Sequence, residues 1–127
     1  MAKILNIIES AYRATLEEQD DTIVWISHAL KGQGADLDVL LRGNAVSYAV
    51  KGQQVAPLSF GARQDKHAPE LEEDVKKLID KGVQVFLVKE DAMARGLEGA
   101  DFIDGVTQVV GADLPKMLGD YERIWHW

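Results

Sequence analysis

The chain has 127 residues, 46% hydrophobic and 28% charged, which is enough for one domain to bury a core without bridges or metals. Its formal net charge is −7, and no basic run or aromatic-interleaved basic patch offsets it, so nucleic acid is not an expected partner. There is no cysteine, which removes disulfides and thiol chemistry but does not fix the compartment.

Short apolar runs alternate with segments of helical period, the pattern of a parallel α/β sheet. The first strand is Lys3 to Ile8, apolar on both faces and therefore central. Because the chain opens on this strand, without a charged leader or cleavage site, a cytoplasmic protein is expected. No apolar stretch approaches the roughly 18 residues that cross a bilayer, so no membrane association is expected. A polar loop, Glu9 to Arg13, leads to a helix somewhere within Leu16 to Lys31, with Ile23, Ile26, Ala29 and Leu30 at spacings of three and four. Glu17, Glu18, Asp20 and Asp21 crowd its start, where the helix dipole favours negative charge, and Gly32 and Gly34 end it.

Asp38 to Leu41 is the second strand, followed by Arg42-Gly43-Asn44 and a helix from Ala45 to Lys51. Gln53 to His67 is irregular and is expected to be a surface loop with at most one short helical turn, functional or mobile at that length. The clearest helix begins near Pro69, with Leu71, Val75, Leu78 and Ile79 on one stripe and Glu72, Glu73, Asp74, Lys76 and Lys77 on the solvated side. Gly82 stops it and the strand Val83 to Val88 follows. The remainder predicts a short helix, a strand near Val106 to Val110, a helix near Leu114 to Leu118 and a last strand around Arg123 to Trp127. The expected architecture is one domain over residues 1–127, a flavodoxin-like three-layer α/β sandwich with a mostly parallel sheet of about five strands.

In such a sheet the loops at the strand carboxyl ends share one rim. Here they bring together Glu9, Ser10, Tyr12, Arg13, Arg42, Asn44, Lys89, Glu90 and Asp91, a polar site suited to a small anion or a partner's tail. The competing reading is that such rims are polar in any case. No phosphate-cradling glycine loop follows the first strand, and Ser10 and Ser59 lack the glycine pattern of a nucleophile elbow. His28, His67 and His126 have no ligand spacing, so neither a metal nor a cofactor is expected. Trp25, Trp125 and Trp127 are core or interface candidates.

The order of these pieces resembles the DsrE/DsrF-like (TusD-like) family of sulfur-relay proteins. The residues that carry the resemblance are Ala29-Leu30-Lys31-Gly32-Gln33-Gly34, Val39-Leu40-Leu41, Lys51-Gly52-Gln53, Gly82-Val83 with its strand, Arg95-Gly96-Leu97, Asp104-Gly105-Val106 and the aromatic last strand. In sulfur-carrying members a cysteine in the loop after the Val83 to Val88 strand bears a persulfide. Asp91 stands at about that position here, where it would cap the short helix or bind a cationic group but cannot accept sulfur. The resemblance therefore implies a cysteine-less member that is not an enzyme. Such a member would be an accessory or assembly subunit associated with sulfur relay, forming homo-oligomers (trimers or hexamers) in which Trp125 and Trp127 lie at interfaces. It also implies a possible sulfur-relay protein partner. The alternative is a small-ligand-binding or enzymatic α/β domain that uses the polar rim.

Overall fold

A computed structural model describes residues 2–12, 20–64 and 68–127. Five strands form the main sheet: β1 (Lys3–Ile8), β2 (Asp36–Leu41), β5 (Val85–Val88), β6 (Val106–Val109) and β7 (Arg123–His126), in spatial order β6-β5-β2-β1-β7. Every neighbouring pair is parallel, as the near-continuous apolar runs of β1 and β5 require for strands covered on both faces. Ile8 pairs with Leu41 and Leu41 with Leu87, so these three strands end level with one another.

The alternation along each strand sorts side chains between two layers. Ile8, Leu37, Val39, Leu41 and Val85 face a core shared with α1 (Thr22–Gly32) and α2 (Leu71–Asp80) and with a 3-10 helix, Gly43–Ala49. The next helix along, α3 (Lys89–Ala94), buries Ala92 beside Val46 and Leu87 in the same layer. The opposite face carries Leu5, Ile7, Leu40 and Val88, covered by Leu114, Met117 and Leu118 of α4 (Leu114–Leu118) and by Tyr121. Fully burying a Leu or Val side chain contributes about 1.5–3 kcal/mol, so the α2 stripe of Leu71, Val75 and Leu78 is enough to fix that helix against the sheet.

Several boundaries differ from the sequence expectations for identifiable reasons. The first helix begins at Thr22 within the described residues, with Asp21 as its N-cap; Glu17 and Glu18 fall outside them, as do Arg13 and His67. The helix expected from Ala45 is a 3-10 helix starting two residues earlier, because Gly43 enters at a φ of 56° and tightens the turn. Part of the expected loop is a two-residue hairpin, β3 (Ser59–Phe60) with β4 (Arg63–Gln64), turning at Gly61 with a φ of 61°. Trp25 is not a core residue; it is 57% exposed on α1.

Polar groups inside the core are hydrogen-bonded, as burial demands. Asn6 on β1 donates to Ser27 Oγ at 2.9 Å and accepts from Trp127 Nε1 at 2.8 Å, while Ser27 donates to the Ile23 carbonyl. Asp38 accepts from Tyr121 at 2.7 Å and from the Gln84 N–H at 3.0 Å. Asp21 Oδ1 accepts from the N–H groups of Ile23 and Val24, and its Oδ2 accepts from the Tyr48 hydroxyl at 2.5 Å. That hydroxyl in turn accepts from the N–H of Tyr12.

Burial, reinforced by the bond to Asp21, raises the Tyr48 phenol well above its ordinary 10.0, and burial with the Asp38 bond does the same to Tyr121. An acid whose folded pKa is raised stabilises the fold below its unfolded pKa and loses that contribution as pH climbs above it. Stability should therefore fall as pH rises above about 10.0, and Tyr48→Phe should flatten that decline. At neutral pH the same substitution leaves an Asp21 oxygen and the Tyr12 N–H without their partner and should cost about 1–3 kcal/mol in urea unfolding.

Candidate functional site at the strand carboxyl ends

The rim is built by the residues that follow β1, β2 and β5. Glu9 and Arg42 come next in register after Ile8 and Leu41, and the Arg42 N–H still donates to the Ile8 carbonyl at 3.0 Å. Gly43 then adopts a left-handed conformation that an L side chain resists, and a Cβ there would stand 2.9 Å from Glu9 Cγ. A glycine is thus what lets the β1 and β2 loops close on one another.

Each rim carboxylate is held by the protein itself. Glu9 Oε2 pairs with His126 Nε2 at 2.5 Å, both side chains about half exposed. Asp91 Oδ2 accepts from the Gly43 N–H at 2.8 Å, and Glu90 Oε2 accepts from the Gly111 N–H at 2.8 Å. Glu90 thereby joins β5 to the end of β6, two adjacent strands whose chains leave toward opposite faces of the sheet. Asn44 Oδ1 accepts from Arg95 Nε at 2.9 Å, and Arg95 Nη1 donates to the Asp91 carbonyl at 3.1 Å.

Arg42 is the exception. Its Nε is buried and has no hydrogen-bond partner, and the side chain forms no ion pair among the described residues. Lys89 likewise has no ion pair among the described residues, but it lies apart from Arg42, lining a small cleft of about 110 Å³ with Met93, Leu97 and Gln108. Tyr12, at a φ of 57°, sits on the 3-10 helix side, its hydroxyl 2.9 Å from Ser47 Oγ and 3.0 Å from Gln53 Oε1. Ser10 contributes through its backbone, its N–H and that of Glu9 both donating to the Trp127 carbonyl.

Glu9, Arg42, Asn44 and Asp91 thus share one stretch of rim, Tyr12 and Lys89 lie to its sides, and Arg13 is outside the described residues. Two contributors escaped the sequence reading. His126 gave no signal because its partner Glu9 is 117 residues away. Arg95 was visible only as part of an Arg-Gly-Leu run. Asp91 is also not an N-cap: α3 starts directly at the end of β5, so the cap position falls to Val88, which has no side-chain acceptor. Asp91 is the third helical residue, where its charge still suits the first turn. Among the described residues no three His, Asp or Glu side chains gather closely enough to hold a metal ion. No helix among them is long and apolar enough to cross a membrane.

No family profile and no curated protein matches the sequence. Solved structures do. The YchN protein from E. coli superposes with a TM-score of 0.75 over 100% of both chains at 20% identity. MTH1491 from Methanobacterium thermoautotrophicum, a protein of unknown function, gives 0.68 over 100% of both chains at 13% identity. BT1422 from Bacteroides thetaiotaomicron, also of unknown function, gives 0.67 over 99% of this chain and 95% of that one at 14% identity. The chain has the DsrE/YchN-like fold. At these identities the likeness concerns the fold alone.

Two substitutions probe the rim's construction. Asp91→Ala should destabilise the protein by about 1–2 kcal/mol by stranding the Gly43 N–H, with Asp91→Asn costing less because its amide oxygen can still accept. Gly43→Ala should cost about 1–3 kcal/mol through its positive φ and the contact with Glu9. Chemical denaturation reads both.

Proposed function

We propose that this chain is a non-catalytic protein of the DsrE-like type, an accessory or assembly subunit associated with sulfur relay that cannot carry a persulfide itself. The observation that supports this reading most is the chemistry of the loop after β5. A relay residue must ionise as a thiolate and attack a donor sulfur. This chain has no cysteine, and Asp91, at the matching position, has its carboxylate engaged by the Gly43 N–H. The group is thereby a structural tie between α3 and the 3-10 helix. Self-association, and contact with a cysteine-bearing relay protein, belong to the same reading.

The test is sulfur loading. Incubated with a cysteine desulfurase and its substrate, the intact protein should gain no mass of one sulfur atom that a reductant removes, while a cysteine-bearing relay protein in the same tube does. A stable, reducible sulfur adduct on this chain would overturn the proposal.

Arg42 favours a second reading, in which the rim binds a small anion. The rim carboxylates Glu9 and Asp91 are already paired or hydrogen-bonded, and no described carboxylate lies within ion-pair distance of the Arg42 guanidinium. Charge-assisted bonds to a partly buried guanidinium are the stronger kind. Titrating the protein with inorganic sulfate should shift amide resonances around Arg42 and Gly43, and Arg42→Ala should weaken the apparent affinity about tenfold or more, as expected for loss of one charged hydrogen bond of about 1.5–3 kcal/mol. Shifts that are absent, or unaffected by Arg42→Ala, would rule this reading out.

A further inference from the structure

α3 ends after six residues, where Gly96, at a φ of 72°, takes the left-handed position that closes a helix. Gly99, at a φ of 76°, turns the loop that follows. The Leu97 N–H donates to the Ala92 carbonyl at 2.9 Å, and the Ala100 N–H to the Leu97 carbonyl at 3.0 Å. A cleft of about 110 Å³ lies between this loop, α3 and β6. Its floor is apolar: Ala92 is buried, and Leu97 and Phe102 are half-buried in the cluster that holds Val46 and Leu87. Its walls all come from residues 89–108, a stretch described throughout.

Three polar side chains form its lips. Lys89 stands at the start of α3, Gln108 on β6 opposite Leu87 of β5, and Glu98 in the loop. None of the three forms a side-chain hydrogen bond or an ion pair among the described residues. Lys89 and Glu98 therefore do not neutralise each other, although both border so small a space. An ammonium and a carboxylate kept apart over an apolar floor discriminate by charge. A simple anion that approaches Lys89 meets the carboxylate of Glu98, and a simple cation that approaches Glu98 meets the ammonium of Lys89. A molecule carrying both charges on a short frame satisfies both lips. At about 30 Å³ for one water, the space admits only a handful of non-hydrogen atoms, which excludes nucleotides and aromatic amino acids.

We propose that this cleft binds a small zwitterionic amino acid. The ligand's carboxylate accepts from the Lys89 ammonium and the Gln108 amide, and its ammonium donates to the Glu98 carboxylate. A short aliphatic side chain lies against Leu97 and Phe102, out of water. Two charge-assisted contacts of opposite sign fix the ligand's orientation. Both charged lips are exposed, so the affinity is weak, with a Kd on the order of millimolar. Arg42 takes no part, and the site rests on neither reading of function given above. The cleft binds or fails to bind whatever sulfur loading and sulfate titration show.

L-Alanine is the probe. Titrated into the isotope-labelled protein, it should shift the amide resonances of Ala92, Leu97 and Gly99 saturably. Acetate and ethylammonium, which carry one charge each, should bind about tenfold more weakly or worse, since each lacks one charged hydrogen bond. Lys89→Met and Glu98→Gln should each weaken L-alanine binding by a similar factor, and both positions are exposed, so the fold is spared. Lys116→Met, on α4 across the sheet, should change nothing. L-Tryptophan should not enter. The absence of saturable shifts around the cleft with L-alanine would overturn the proposal. So would acetate that binds as tightly as L-alanine, or an affinity for L-alanine that survives both Lys89→Met and Glu98→Gln. L-Tryptophan binding as tightly as L-alanine would refute the assignment to a small ligand.

Discussion

One buried carboxylate holds the helical layer to the start of the sheet. Asp21 accepts two backbone N–H groups at the head of α1 and the hydroxyl of Tyr48 from the 3-10 helix. Through Tyr48 it reaches the N–H of Tyr12, in the loop that leaves β1. A carboxylate out of water is costly unless its lone pairs are filled. Satisfying it here requires α1, the 3-10 helix and the β1 loop to be in place together, so one charge coordinates three segments remote in sequence. The position of the rim follows from that arrangement, since Gly43 and Asn44 open the same 3-10 helix that Tyr48 anchors.

Seen from this constraint, the rim is a set of ties between neighbouring strand ends. Glu9 reaches β7, Asp91 reaches Gly43 in the loop after β2, and Glu90 reaches Gly111 after β6. The loops are therefore stapled by acidic side chains, and the acidic composition of the chain does not translate into an acidic site. Among the described residues, Arg42 and Lys89 are rim cations without an ion pair, and Arg42 Nε is buried with no hydrogen-bond partner. Asp91 in particular is a fastening between α3 and the start of the 3-10 helix.

Much of this architecture was legible in the residues. β1 and β5 are short apolar runs bounded by polar turns, and α2 carries its stripe at helical spacing, so local pattern and tertiary burial agree there. The hairpin Ser59–Phe60 with Arg63–Gln64 was missed because strands of two residues show no alternation, though Gly61 between them marked the turn. The rim was legible as a list of residue types and not as a set of contacts. Asp91 and Gly43 are 48 residues apart, and nothing in either neighbourhood announces that they meet. The condition of Arg42 is harder still, since the absence of a partner for its Nε among the described residues is a property of everything around the side chain.

The pairing of β1 with β7 joins segments remote in sequence, and Asn6 waits on Trp127 from 121 positions downstream. During synthesis, β2 and α1 can pack on β1 long before β7 exists, leaving Asn6 with half its hydrogen bonds and β1 with a bare flank. Contacts of such long sequence separation carry a large loop-closure entropy and form late. An incomplete chain on the ribosome therefore holds a central strand that is temporarily an edge, at the stage when adhesive edges are most dangerous. β7 fills that flank and the Trp127 indole completes Asn6, so the interval before β7 docks is the one in which the nascent sheet is sticky.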